Sequence, residues 1–270
     1  MLDKIVEILG NSHFEAYIGG PIAGVVASLI FAGFSKSPQT QHANLSPHIL
    51  HIQIAAPAST QQVQVQSKSN SLLPAMMIGA VLAFLFVAYL PTIASALYFF
   101  IAMITTFSIS SSVLAVAFGQ FNTPAWWLHT IYPTFSAAGS FYVAAMVERS
   151  ISTEVVAFAK SLLGDGHLTL AAIFNGIYVF FTQVNAAYIQ WLTFQMAAFF
   201  MAALVAVTAL FQCIHYIALA NMRSSNSILW RALVVKTYHF STIKSALNGA
   251  VFLAIAWFLA SGRAFAFFRT

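Results

Sequence analysis

The chain has 270 residues, 60% of them hydrophobic and 6% charged, whereas an ordinary globular domain carries about 25% charged residues. That balance excludes a soluble domain. A net charge of +5 does not make it a nucleic-acid binder, because eleven Lys and Arg are scattered against six acids and form no patch. The single cysteine, Cys213, excludes an intrachain disulfide.

Within residues 1–16, Leu2, Ile5, Val6 and Leu9 share one helical face, and Asp3, Lys4 and Glu7 the other. This spacing predicts a short interfacial helix that ends at Gly10. The first membrane span is expected at 17–34. There Gly20, Gly24 and Ser28 recur every fourth residue, a stripe that lets two helix backbones approach closely in lipid, within one chain or between copies.

Residues 35–71 form the longest polar segment. Leu50, Ile52 and Ile54 alternate with His51 and Gln53, and Val63 and Val65 alternate with Gln62, Gln64 and Gln66. Period-two patterning on both sides of a short loop predicts a small β-hairpin. A lone hairpin is marginal in water, so pairing with copies or with a partner is expected. His42, His48 and His51 lie close together here, but no Cys, Asp or Glu joins them in the loop, and no metal site is expected.

From 69 to 147 the chain runs 79 residues without one Asp, Glu, Lys or Arg. As one helix this would be about 120 Å long, some four times the ~30 Å hydrocarbon core of a bilayer. Three spans are therefore expected within 72–147, with Pro91 marking the turn or break between the first two. Thr105, Ser108 and Ser112 form a hydroxyl stripe, suited to hydrogen bonds with neighbouring helices or with their own backbone. Trp126 and Trp127 fit an aromatic belt, His129 lies near the interface, and Pro133 should bend the following helix.

Residues 148–167 read as an amphipathic connector, with Val155, Ala159 and Leu162 opposite Glu154, Lys160 and Asp165. A second charge-free run follows, and two further spans are expected within 168–220, at 168–188 and 191–220. The former is the most polar of all. Asn175, Tyr178, Thr182 and Asn185 follow one side, while Gln183 and Gln190 form a neighbouring row. Amides cannot face lipid cheaply without partners. These six residues are therefore the candidate polar path or interface. Ala198, Ala202 and Ala206 form a packing face in the next span. Residues 221–244 carry Arg223, Arg231, Lys236 and Lys244 with no acid, and include a short amphipathic helix over 228–238. The last span and the C-terminus occupy 245–270.

The fold expected is an all-α polytopic integral membrane protein of about seven spans, with five as the lower bound. Cytoplasmic enrichment of Lys and Arg puts the N-terminus, 148–167 and 221–244 in the cytoplasm of a bacterial inner membrane, and 35–71 outside. No carboxylate or central Lys falls within the expected spans, and no phosphate loop, zinc motif or hydrolytic acid pair occurs. The function expected is non-enzymatic: an oligomeric channel, or a polytopic subunit of a larger transport or secretion machine of the conjugation type. Its partners would be membrane lipids and either copies of itself or other subunits, with no cofactor and no nucleic acid. The alternative is a membrane enzyme or small-solute carrier that uses His129, His215 and the amides.

Overall fold

The computed structural model describes residues 13–34, 72–117, 124–163, 170–224 and 228–269. Among these the chain is nearly all helix and has no strand. The helix expected over 2–9 and the hairpin expected within 35–71 lie outside the described residues. In chain order the helices are α1 (Phe14–Phe34), α2 (Leu72–Ala88), α3 (Leu90–Ala117), α4 (Pro124–Ser150), α5 (Thr153–Ser161), α6 (Leu170–Gln183), α7 (Ala186–Ser224), α8 (Ile228–Thr237), α9 (Ile243–Ala260) and α10 (Arg263–Arg269). A 3-10 turn, Tyr238–Ser241, joins α8 to α9.

Among the described residues three segments are long and apolar enough to cross a membrane: Leu90–Leu114 in α3, Ala186–Leu219 in α7 and Ile243–Ala260 in α9. At 1.5 Å per residue they are about 37, 51 and 27 Å long; the first two exceed a ~30 Å hydrocarbon core and the third nearly matches it. Most of their outward residues are apolar, as lipid favours, with Gln190, Thr193 and Asn248 among the exposed exceptions. Val113, Leu204, Leu247, Val251 and Phe252 are all exposed.

Side-chain pairs give the helix directions. Gly20 sits against Phe99 and Ala102, and Gly24 against Met103 and Phe107, so α1 and α3 run parallel. Tyr98 bonds Glu148, and Thr134 bonds Ser108, so α4 runs back along α3. Gln195 bonds the carbonyl of Ala260, and Gln212 that of Phe240, so α9 runs back along α7. Ser150 meets Gln195, and Tyr132 meets Ala246. One end of the bundle therefore gathers His13, Glu148, Ser150, Gln195 and Ala260. The other gathers Tyr132, Gln212, His215 and the turn after α8. The 17 positions from Gln195 to Gln212 separate the two ends by about 25 Å along α7.

Of two chain breaks, the first falls within two residues of Pro91, as expected. Between α2 and α3 the chain breaks at Tyr89 and does not fold into a hairpin. Tyr89 N–H still bonds the Leu85 carbonyl, and Ile93 N–H bonds the Tyr89 carbonyl. Pro91 cannot donate to the ladder, and α2 leaves α3 to pack on α5, α6 and α7. The second break falls at Val184 and Asn185, rather than between 188 and 191. It leaves α6 with 14 residues, about 21 Å and short of a full crossing, and gives α7 39 residues. The connector at 148–167 holds α5, capped by Ser152. Its apolar face lies on protein, with Ala159 buried and Phe158 beside Phe180 of α6.

Candidate functional site

The six residues singled out by pattern do not converge inside the bundle. Asn175, Tyr178, Thr182, Gln183, Asn185 and Gln190 are all exposed. The opposite side of α6 is the packed one. Phe180 is fully buried against Phe84, and a Cβ on Gly176 would meet Phe84 at 3.0 Å and the Leu162 carbonyl at 3.4 Å. Two of the polar groups are used by the backbone. Thr182 Oγ1 donates to the carbonyls of Tyr178 at 2.8 Å and Val179 at 3.0 Å, which is helix back-bonding. Asn185 Oδ1 accepts from Ala187 N–H at 2.8 Å and caps the start of α7. Asn175, Tyr178 and Gln183 share α6's outward face with Thr182.

Gly20, Gly24 and Ser28 on α1 turn toward α3. A Cβ on Gly20 would lie 2.7 Å from the Phe99 carbonyl and 2.8 Å from Ala102 Cβ, and one on Gly24 would lie 2.5 Å from the Met103 carbonyl. Ser28 is buried, and its hydroxyl donates to the Val25 carbonyl at 2.8 Å. The absence of side chains at the two glycines thus lets α1 and α3 approach backbone to backbone.

A polar cluster that the sequence reading did not find joins three helices. His13 opens α1, Ser95 and Tyr98 stand in the first turns of α3, and Glu148 lies in the last turn of α4. Tyr98 O–H donates to Glu148 Oε2 at 2.6 Å, and His13 Nε2 lies 2.9 Å from Glu148 Oε1. His13 Nδ1 lies 2.6 Å from Ser95 Oγ. A carboxylate only accepts, so Nε2 must carry the proton. The rings pack tightly as well: His13 meets Tyr98 edge-on at 5.1 Å, and Tyr17 stacks on Tyr98 at 6.4 Å. The result is a Ser–His–carboxylate chain held by a tyrosine, with the His and Glu side chains 15% and 25% exposed. In sequence, Glu148 stood at the edge of a connector and His13 before the first expected span. The two are 135 residues apart, and no periodicity pairs them.

A second polar set ties α7 to its neighbours. Gln195 is fully buried; it accepts from Ser150 at 3.2 Å and donates to the Ala260 carbonyl at 3.3 Å. Thr237 Oγ1 gives its proton to the Leu233 carbonyl at 2.6 Å, so His215 Nδ1–H donates to Thr237 at 2.9 Å. His215 is thus a tie between α7 and α8. Ser136 and Ser140, one turn apart on α4, are buried with hydroxyls that make no hydrogen bond. Cys213 is buried. The side chains of Trp126, Trp127 and His129 lie outside the description, as do His42, His48 and His51. Among the described residues no three His, Cys, Asp or Glu side chains gather as a metal site would need.

Comparison with protein-family models, with characterised proteins and with solved structures gives no match.

Proposed function

We propose that this chain is a non-enzymatic multi-pass protein of a bacterial inner membrane, acting as a homo-oligomeric channel or as a polytopic subunit of a larger transport or secretion machine. One observation supports this most. The face of α6 that bears Asn175, Tyr178, Thr182 and Gln183 lies on the outside of the bundle. In a channel formed by one chain these groups would face inward. On the outside, at the edge of an apolar bundle, they suit contact with a neighbouring chain. α2 likewise has an apolar outward face, with Met77, Ile78 and Leu82 exposed.

The reading includes more than three crossings. α1 and α4, with 21 and 27 residues, are about 31 and 40 Å long and reach from one end of the bundle to the other. α1 and α3 run the same way, so this reading requires a return between 34 and 90. With that return there are six crossings, five of them α1, α3, α4, α7 and α9. Both described chain ends then lie on the Glu148 side, and 228–241 lies on the other. Within the described segments each side carries four Lys or Arg: Arg149, Lys160, Arg263 and Arg269 against Arg223, Arg231, Lys236 and Lys244. Cation enrichment then favours neither side, and this reading sets 148–163 and 228–241 in different compartments rather than together in the cytoplasm.

Native mass measurement in mild detergent tests the assembly. The expected species are whole multiples of 29.3 kDa above one copy, and Asn175→Leu with Gln183→Leu should shift them toward the single chain while leaving the helical content intact. A stable single chain that keeps its native lipids would overturn the proposal. The Ser95–His13–Glu148 chain is the specific observation that favours the second reading, a membrane enzyme or small-solute carrier. Loss of in vivo function in His13→Ala with an unchanged oligomer would move the assignment there.

A further inference from the structure

Every acid in the chain precedes 166, so the last 105 residues carry Arg223, Arg231, Lys236, Lys244, Arg263 and Arg269 with no Asp or Glu. Four of these cations flank or occupy α8 and the turn after it. At 100° per residue, α8 turns Leu233, Val234 and Thr237 toward α7, where His215 holds Thr237. Its exposed arc reads Arg231, Val235, Ile228, Ala232, Lys236, Leu229. Apolar residues thus fill most of the arc, with Arg231 at one edge and Lys236 beside Leu229 at the other. Ile228 is 83% exposed and Val235 45%. Beyond α8, Tyr238 and His239 are exposed in the 3-10 turn, and Ile243 and Lys244 in the first turn of α9.

An apolar arc of this kind gains nothing from facing water. It fits the headgroup layer, with aliphatic side chains at the acyl boundary and long cationic side chains reaching to phosphates. The segment is also held at that depth. Thr237 and Phe240 are tied to His215 and Gln212 near the end of the spanning helix α7, and Phe240 stacks on Phe211 at 4.7 Å. Charge complementarity names the occupant, because a surface with several cations and, among the described residues, no acid selects an anionic phosphodiester over a zwitterionic one.

We propose that α8, the following turn and the start of α9 form a binding surface for anionic phospholipid, with Arg231, Lys236 and Lys244 on the phosphates and Ile228 and Val235 on the acyl boundary. It rests on the membrane reading above but not on the oligomer. The test uses the full-length protein in mild detergent and follows thermal unfolding with added phosphatidylglycerol, phosphatidylcholine or inorganic phosphate. Phosphatidylglycerol should stabilise, and the other two should not. Neutralising the three cations (R231Q, K236Q and K244Q together) should weaken the apparent lipid affinity ~100-fold, at about fivefold per charge. The charge-keeping set R231K, K236R and K244R should retain it. Neutralising K160Q and R263Q at the other end should leave it unchanged. An equal response to phosphatidylcholine, a response to inorganic phosphate, or full lipid affinity in the neutral triple variant would each overturn the site. Native mass read on the same samples keeps the two proposals apart: loss of assembly with an intact lipid response counts against the oligomer alone.

Discussion

Gly24→Leu should abolish the native fold, lowering stability by about 3 kcal/mol or more, the upper range for overpacking a tight contact. A first side-chain carbon at this position already meets the Thr106 hydroxyl, the Met103 carbonyl at 2.5 Å and the Phe107 nitrogen at 2.9 Å. Two of these three are backbone atoms of α3, which cannot swing aside as a side-chain tip can. Gly20→Leu should behave alike, since it meets the Phe99 carbonyl. Gly79→Leu is the control. Nothing lies within 4 Å of a Cβ there, and Leu is the better helix former by nearly 1 kcal/mol. Fluorescence-detected size exclusion after graded heating separates them: a collapsed peak for the α1 variants and an unchanged one for Gly79→Leu. A well-behaved Gly24→Leu protein would remove the α1–α3 contact from the fold.

Glu148→Ala should cost about 3 kcal/mol, because one substitution strips acceptors from two helices at once. Tyr98 is 2% exposed, and its hydroxyl would lose the acceptor that it now has at 2.6 Å. His13 would lose its carboxylate at 2.9 Å. Glu148→Gln keeps a carbonyl oxygen for Tyr98 and should cost less than half as much. Adding His13→Ala to Glu148→Ala should then change stability little, since the pair has already been broken. Thermal unfolding of these three variants, of His13→Ala alone and of the wild type checks this. Additive losses would mean that His13 and Glu148 contribute independently and that the cluster is not a joint between α1, α3 and α4.

Much of the architecture was legible in the residues. Charge-free runs far longer than one span required a helical membrane protein, and the spans in α3, α7 and α9 fall within stretches marked by composition alone. The breaks were harder to place. Pro91 marks the first to within two residues, as a turn or a break; the helical hydrogen bonds resume at Ile93, which makes it a break. Asn185 was read as one more member of a polar stripe. Its role as the cap of α7 is a local signal, an Asn ahead of a new helix, which the surrounding apolar residues hid. The stripe on α6 was real, but periodicity says only that polar residues share a face, not whether that face points inward. That depends on Gly176 and Phe180 finding Phe84, about 90 residues upstream in sequence. His13 and Glu148 were invisible as a pair for the same reason. Their meeting follows from α1 and α3 being parallel, which no local pattern encodes.

The arrangement of the two ends is the claim on which the topology rests, and thiol labelling tests it most directly. Single cysteines are placed at Ser161, exposed at the end of α5, and at His239, exposed in the turn after α8, with the buried Cys213 changed to Ala. Spheroplasts are treated with a membrane-impermeant maleimide, and permeabilised cells show that both positions react when reached. α7 separates the two positions once across the membrane, so one of the two cysteines should label in spheroplasts and the other should not. Labelling of both, or protection of both, would put them in one compartment and contradict the account.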